Sequence, residues 1–207
     1  MGLKVKGACL TLAVLMMVGQ PASAKAQAAS PVSPFVAQDF SVPTLVEAGK
    51  FKLVPLGPDL VKVDFNAYMS SIEHLQKTFT RSTDWPHPGI SDADAMRDME
   101  TEQARFRNRE SFAYAVLTPD GSRERGCVYV YPSTVDGYDA VVRLWVTKDE
   151  YDAGFDAELY AWVIGWMRKD WPFAKIAYPG RAIEWGTWDA IVASNKARKA
   201  AAAGHKP

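Results

Sequence analysis

Between Ala140 and Tyr178 the chain changes segment type in an order that leaves few architectures open. AVVRLWVT reads as a strand, KDEYDAG as a short polar loop, FDAELYAWVIGWMRKD as an amphipathic helix, WP as a breaker and FAKIAY as a second strand. A strand, helix and strand with short joints form a βαβ unit, which makes the two strands parallel and the crossover right-handed. Phe155, Leu159, Trp162, Val163 and Trp166 make one apolar stripe at helical spacing. A ligand site in such a unit is expected beyond the carboxyl end of the first strand, here Thr147 to Gly154.

The rest of the chain supplies elements to pack against that unit. Met1 to Ala24 reads as a signal peptide: Lys4 and Lys6, an apolar run from Ala8 to Gly19, then Ala22-Ser23-Ala24. The apolar run is shorter than the roughly 20 residues of a membrane span, so no integral membrane segment is expected after cleavage. Removing Lys4 and Lys6 from 24 basic and 24 acidic residues leaves a net charge of −2. A near-neutral chain without a basic stripe speaks against nucleic acid as a partner. Cleavage also removes Cys9, so Cys127 is left without an intramolecular disulfide partner. It lies in the apolar run GCVYVY and reads as a small buried hydrophobe. A periplasmic or secreted location follows, or a cytoplasmic one if translation starts elsewhere.

Residues 25–49 read as a linker or extended N-terminal segment, 50–195 as one domain and 196–207 as a frayed tail. FKLVPLG is a first strand that Pro55 marks as an edge or an end. Asp64 N-caps a helix carrying Phe65, Tyr68, Met69, Ile72, Leu75 and Phe79 on one face. After the loop STDWPHPGIS, Ser91 caps a second helix, with Asp94 three residues later as a partial capping box. SFAYAVLT and GCVYVYP alternate as an antiparallel pair, AVVRLWV follows as a third strand, and a terminal helix begins near Ile183 to Trp188. The order β-α-α-β-β-β-α-β-α predicts an α/β (α+β) mixed sheet, mostly antiparallel with one parallel crossover and helices on both faces.

That order, with FAYAVLTPDGSRERGCVYVYP as a strand-turn-strand pair and WPFAKIAYPGR after the central helix, resembles the GNAT (GCN5-related N-acetyltransferase) superfamily over about Phe51 to Trp188. The resemblance implies transfer of an acetyl or other acyl group from coenzyme A to a small-molecule amine, with acetyl-CoA between two strands that splay at Thr147. By the same resemblance Trp145, Val146 and Thr147 would pair with the pantetheine arm, Lys148 and Gly154 would belong to the pyrophosphate loop, and Tyr178 or His87 would be catalytic candidates. Arg143, Arg181 and Tyr131 are the candidate lining of the substrate cleft. Arg143, in an apolar strand, needs a partner; an anionic ligand and a carboxylate from the second helix are both open. Arg181 carries the same two readings.

The loop departs from the family's glycine-rich pattern. Asp149, Glu150, Asp152 and Asp156 flank the helix terminus that would hold a diphosphate, with Lys148 as the single cation in the loop. Weak coenzyme A binding is therefore expected, strengthened by neutralising Asp149, Glu150 and Asp152. An exported, non-catalytic module binding a small ligand or a protein is the alternative function. No metal-ligand spacing, Ser-His-Asp set or phosphate loop occurs, and no metal is expected.

Overall fold

A computed structural model describes residues 35–204. The expected signal peptide, its cleavage site and the first part of the linker lie outside the described residues. The sheet has six strands in the spatial order of the sequence: β1 (Val46–Glu47), β2 (Lys52–Pro55), β3 (Phe112–Leu117), β4 (Glu124–Pro132), β5 (Ala140–Val146) and β6 (Ile176–Ala177). All neighbours are antiparallel except β5 and β6, which are parallel across α5 (Phe155–Asp170). The mixed sheet and its single crossover are those expected. One strand is additional: β1 covers β2, so Pro55 ends its strand without leaving it at the edge.

Alternation along the strands divides the core between two faces. Tyr114, Val128, Val142, Leu144 and Val146 face α5, meeting Phe155, Leu159, Val163, Trp166 and Met167. Ala113, Ala115, Cys127 and Trp145 face the other helices, meeting Tyr68, Leu75, Phe79 and Met99. The α5 stripe is thus the expected one, with Met167 added and Trp162 half-buried against Phe51. Residues 35–48 dock on the α5 face: Val36 is buried, Tyr114 Oη donates to the Pro43 carbonyl, and Arg109 donates to the carbonyls of Ala37 and Phe40. Gly126 is required where β4 and β5 come closest, since a Cβ there would lie 2.0 Å from the Trp145 carbonyl oxygen.

The helices before β3 differ from the expected single run. A 3-10 turn at Pro58–Leu60 starts α1 (Val61–Met69), so Asp64 lies inside the helix, buried, and does not cap it. The run breaks at Ser70 and Ser71, continues as α2 (Ile72–Leu75) and ends in a π-helical turn at Gln76–Thr80. Hydroxyl competition for backbone groups explains the break: Ser70 Oγ donates to the Ala67 carbonyl. The helix α3 (Asp92–Arg107) opens with the Ser91–Asp94 capping box the sequence predicts. The polar loop after β5 is itself a five-residue helix, α4 (Lys148–Asp152), capped by Thr147. The terminal helix α6 (Trp185–Ala203) corrects the expected fraying after residue 195. Asn195 is buried, Lys199 donates to the Thr134 carbonyl, and Lys199 pairs with Asp136 at 3.0 Å, which holds the last turns in place.

Candidate functional site

The site is an interruption of backbone pairing. Register joins Ala140 to Ile176 and Val141 to Ala177, and there the β5–β6 ladder stops. The ladder therefore ends at Val141 and Ala177, on the N-terminal side of Thr147. A missing donor coincides with that end. The Ala140 N–H points toward β6, donating to the Lys175 carbonyl, while the Thr147 N–H points toward β4, donating to the Arg125 carbonyl. Backbone direction alternates along a strand, so Val142, Leu144 and Val146 also turn their polar groups toward the β6 side. The next rung would need an N–H at residue 179 for the Val142 carbonyl, and Pro179 has none. Beyond it, among the described residues, the N–H groups of Leu144 and Val146 make no hydrogen bond on that side.

Neighbouring elements close over this opening from the α1–α2 side. Gly180, with φ of +75°, turns the chain so that the Trp185 indole returns against it; a Cβ at Gly180 would lie 2.4 Å from Trp185 Nε1. The indole also lies 4.2 Å from the Arg81 guanidinium and 5.3 Å from that of Arg143. Two 2.9 Å hydrogen bonds from Arg81 to Asp189 fix α6 to the end of the π-helical turn. Arg143 donates to the Phe79 carbonyl and stacks 4.3 Å from the Phe79 ring. Among the described residues it has no carboxylate partner, so the salt bridge open to it from the sequence is not formed. Burial pushes its pKa down, against the raising effect of Tyr131 and Tyr129.

The other sequence candidates separate into several environments. Arg181 is bound to Asp156 through both oxygens, one at 2.7 Å, so a carboxylate of the chain meets its charge. Trp145 is 2% exposed and turns away from α5, its indole N–H 3.3 Å from Tyr129 Oη. Tyr131 stacks on Tyr129 at 5.7 Å and 7°. Val146 is buried toward α5, and Thr147 accepts the Glu150 N–H. Gly154, at φ of +82°, is the left-handed joint between α4 and α5. Tyr178 packs edge-on to Tyr160 at 5.7 Å, and burial, then the neighbouring Tyr160, pushes its pKa up to about 12. His87 stands apart on an exposed loop, where Nδ1 accepts the Gly89 N–H.

The acidic loop is more nearly neutral in three dimensions than in sequence. Glu150 is held by Arg123 at 2.7 Å and by Arg125, Lys148 pairs with Asp152 at 2.6 Å, and Asp156 with Arg181. Burial raises the Glu150 pKa, but hydrogen bonds from Arg125 and Arg123 outweigh it and hold the carboxyl below its ordinary value. Neutralising Glu150 therefore dismantles an arginine clamp, and Asp149 alone has no ion pair among the described residues.

Two features were not anticipated. His74, in α2, packs on Tyr151 at 4.8 Å. With Ser71, Lys77, Thr78 and Lys148 it lines a depression of about 620 Å³ at the end of β5. Burial first, then Lys148, lowers its pKa, which favours neutral imidazole. Asp64, Glu124 and Cys127 form a buried cluster in which Cys127 Sγ lies 3.0 Å from Glu124 Oε1 and 3.7 Å from Asp64 Oδ1. By residue type and spacing these three could hold a metal ion, their ligand atoms lying within 4.8 Å of one another. Asp64 on the apolar face of its helix was the available signal.

No protein-family model and no curated protein matches the sequence. Among solved structures, the chain is similar to a ribosomal-protein-S5-alanine acetyltransferase from Vibrio fischeri, with 14% identity and a TM-score of 0.47, over 61% of this chain and 68% of that one. It is also similar to RimL, a ribosomal L7/L12 alpha-N-protein acetyltransferase solved with coenzyme A, at 13%, 0.48, 61% and 70%. A third is the microcin C7 self-immunity acetyltransferase MccE, solved with acetyl-CoA and AMP, at 13%, 0.46, 63% and 71%. The chain spans about two thirds of the length of the structures it matches. Its own mixed sheet with a single parallel pairing is the one the order of elements in the sequence predicts.

Proposed function

We propose that the protein is an acyltransferase of the GNAT type, moving an acyl group from a pantetheine thioester in the β5–β6 opening to a small amine. The observation that carries this is the pair of outward N–H groups at Leu144 and Val146, beyond the point where the β5–β6 ladder ends. An extended, amide-bearing arm lying there completes the interrupted ladder, since its carbonyls accept what β6 does not. Attack by a neutral amine on the thioester carbon forms the C–N bond and breaks the C–S bond. The amine's proton passes to solvent and the departing thiolate takes one up; Tyr178, the phenol beside Pro179, is the group we assign to that return, regaining its proton from solvent. Holding both reactants in one geometry supplies much of the rate.

The test is amide hydrogen exchange with S-acetyl-pantetheine, read beside thiol release with a panel of primary amines. Protection of Leu144 and Val146 together with amine-dependent thiol release is the expected result. Exchange at both positions unchanged by the thioester would overturn the proposal, and protection without release would leave a binding module in place of an enzyme. We also place the protein outside the cytoplasm, on the Lys, apolar and A-x-A run of residues 4–24. Mass spectrometry of protein from its host should give an N-terminus at Lys25; full-length chain in the cytosol would refute this.

A further inference from the structure

We propose that Asp64, Glu124 and Cys127 bind a divalent cation, and that their chemistry selects zinc. Asp64 comes from α1 and the other two from β4, so an ion among them ties the helix to the strand. The gap along the chain is why no ligand spacing shows in the sequence. Around a tetrahedral zinc, with bonds of about 2.3 Å to sulfur and about 2.0 Å to oxygen, sulfur and oxygen stand about 3.5 Å apart. Cys127 Sγ lies 3.0 Å from Glu124 Oε1 and 3.7 Å from Asp64 Oδ1, one on each side of that value. All three ligand atoms fall within 4.8 Å of one another. One thiolate with two carboxylates suits zinc, whereas magnesium and calcium take oxygen ligands.

Three acidic groups meet here in the core with no base among them. All are buried, and neither carboxylate has an ion pair among the described residues. Glu124 Oε2 is buried with no N–H or hydroxyl donor, so in the metal-free chain only the groups' own protons join them. A cation replaces those protons: the sulfur and two oxygens each give it a lone pair, and the thiol and carboxyl protons pass to solvent. The charged carboxylates then have a partner that the chain itself does not provide. Glu124 also borders a depression of about 280 Å³ shared with Asn66, Ser70, Ser122 and Arg123. That depression supplies the entry path, and water from it the fourth ligand.

Cobalt(II) titration of the reduced, chelator-treated full chain at pH 8 tests this, with zinc added afterwards. The expected result is a near-ultraviolet thiolate–cobalt absorption that saturates at about one equivalent and is lost when zinc displaces the cobalt. Cys127→Ser should abolish it, and Asp64→Asn should weaken cobalt binding about tenfold or more. In chelator Asp64→Asn should be more stable than wild type, because the empty cluster holds two acids in contact, and zinc should raise the melting temperature of wild type alone. No such absorption from wild type at millimolar cobalt would overturn the proposal even where a variant fails to fold. A band that survives Cys127→Ser, or a wild-type melting temperature that zinc leaves unchanged, would overturn it as well. The cluster and the β5–β6 opening share no residue, so every outcome leaves the acyltransferase reading as it stands.

Discussion

Replacing Asp64 by asparagine should stabilise the protein relative to wild type by roughly 3 kcal/mol at pH 8, and by little at pH 4. Burial pushes the Asp64 pKa from 3.8 up to about 7, against the lowering effect of hydrogen bonds from Glu124 and Cys127, with Asp98 raising it further. One pK unit corresponds to about 1.4 kcal/mol, so a shift of this size is worth about 4 kcal/mol before allowance for relaxation. The raised folded value fixes the sign. Below pH 4 the carboxyl is protonated in both states, and its contribution is fully present. Between pH 4 and 7 the unfolded chain releases the proton while the folded chain keeps it, so stability falls as pH rises through that window. Glu124, pushed up by its own burial and then by the charge of Asp64, continues the trend above it. Asparagine keeps the shape and a hydrogen-bonding group and removes the titration. Urea unfolding of both proteins from pH 4 to 9 checks this, and parallel profiles would show that the cluster does not titrate as a buried acid pair.

Arg125→Met should cost about 3 kcal/mol at neutral pH, with the opposite pH dependence. Its guanidinium lies 3.4 Å from the Phe155 ring and binds Glu150, whose side chain is 7% exposed. Methionine preserves much of the apolar stem but leaves Glu150 with Arg123, which is 56% exposed and well solvated. Removing one partner of a buried pair typically costs about 3–5 kcal/mol, because the remaining charge is stranded, and the surviving arginine argues for the lower end. Since the folded Glu150 pKa is depressed, the contribution is present above the unfolded value near 4.5 and is lost as pH falls through the folded one. The difference between variant and wild type should therefore be widest above pH 5 and close in acid. Asp149→Asn, at a position without an ion pair, should change stability by less than about 0.5 kcal/mol. Equal stability of Arg125→Met and wild type at pH 7 would show that the clamp contributes nothing.

These two expectations locate what was legible in the sequence. The α5 stripe, the strands around Phe112–Leu117 and Glu124–Pro132 and the Ser91–Asp94 box were readable because each is a short-range pattern. Side-chain direction repeats every 3.6 residues in a helix and every 2 in a strand, so a few neighbouring residues reveal the buried face. From those patterns the element order and the one parallel crossover followed. The ladder stops beside Pro179, whose missing N–H is readable locally, whereas the splay at Thr147 was what the family resemblance implied.

The partners of the charges were not legible. Asp64 looks like an N-cap in sequence and lies in the core because a 3-10 turn starts the helix three residues sooner. Four carboxylates beside one lysine read as a repulsive loop, whereas Arg123, Arg125 and Arg181 arrive from the turn before β4, from β4 itself and from the turn after β6 to neutralise Glu150 and Asp156. The salt bridge read for Arg143 is not formed among the described residues, and Phe79 and Trp185 meet it instead from elements 64 and 42 residues away in the chain. Coulomb and cation–π contacts depend on distance through space, and a sequence orders residues only along the chain. The sequence by itself determined which elements form, which faces they bury and where β6 can no longer pair. Tertiary packing decided which N–H groups stay free and which charges are already matched, because both depend on neighbours that only the folded chain brings within a few ångströms.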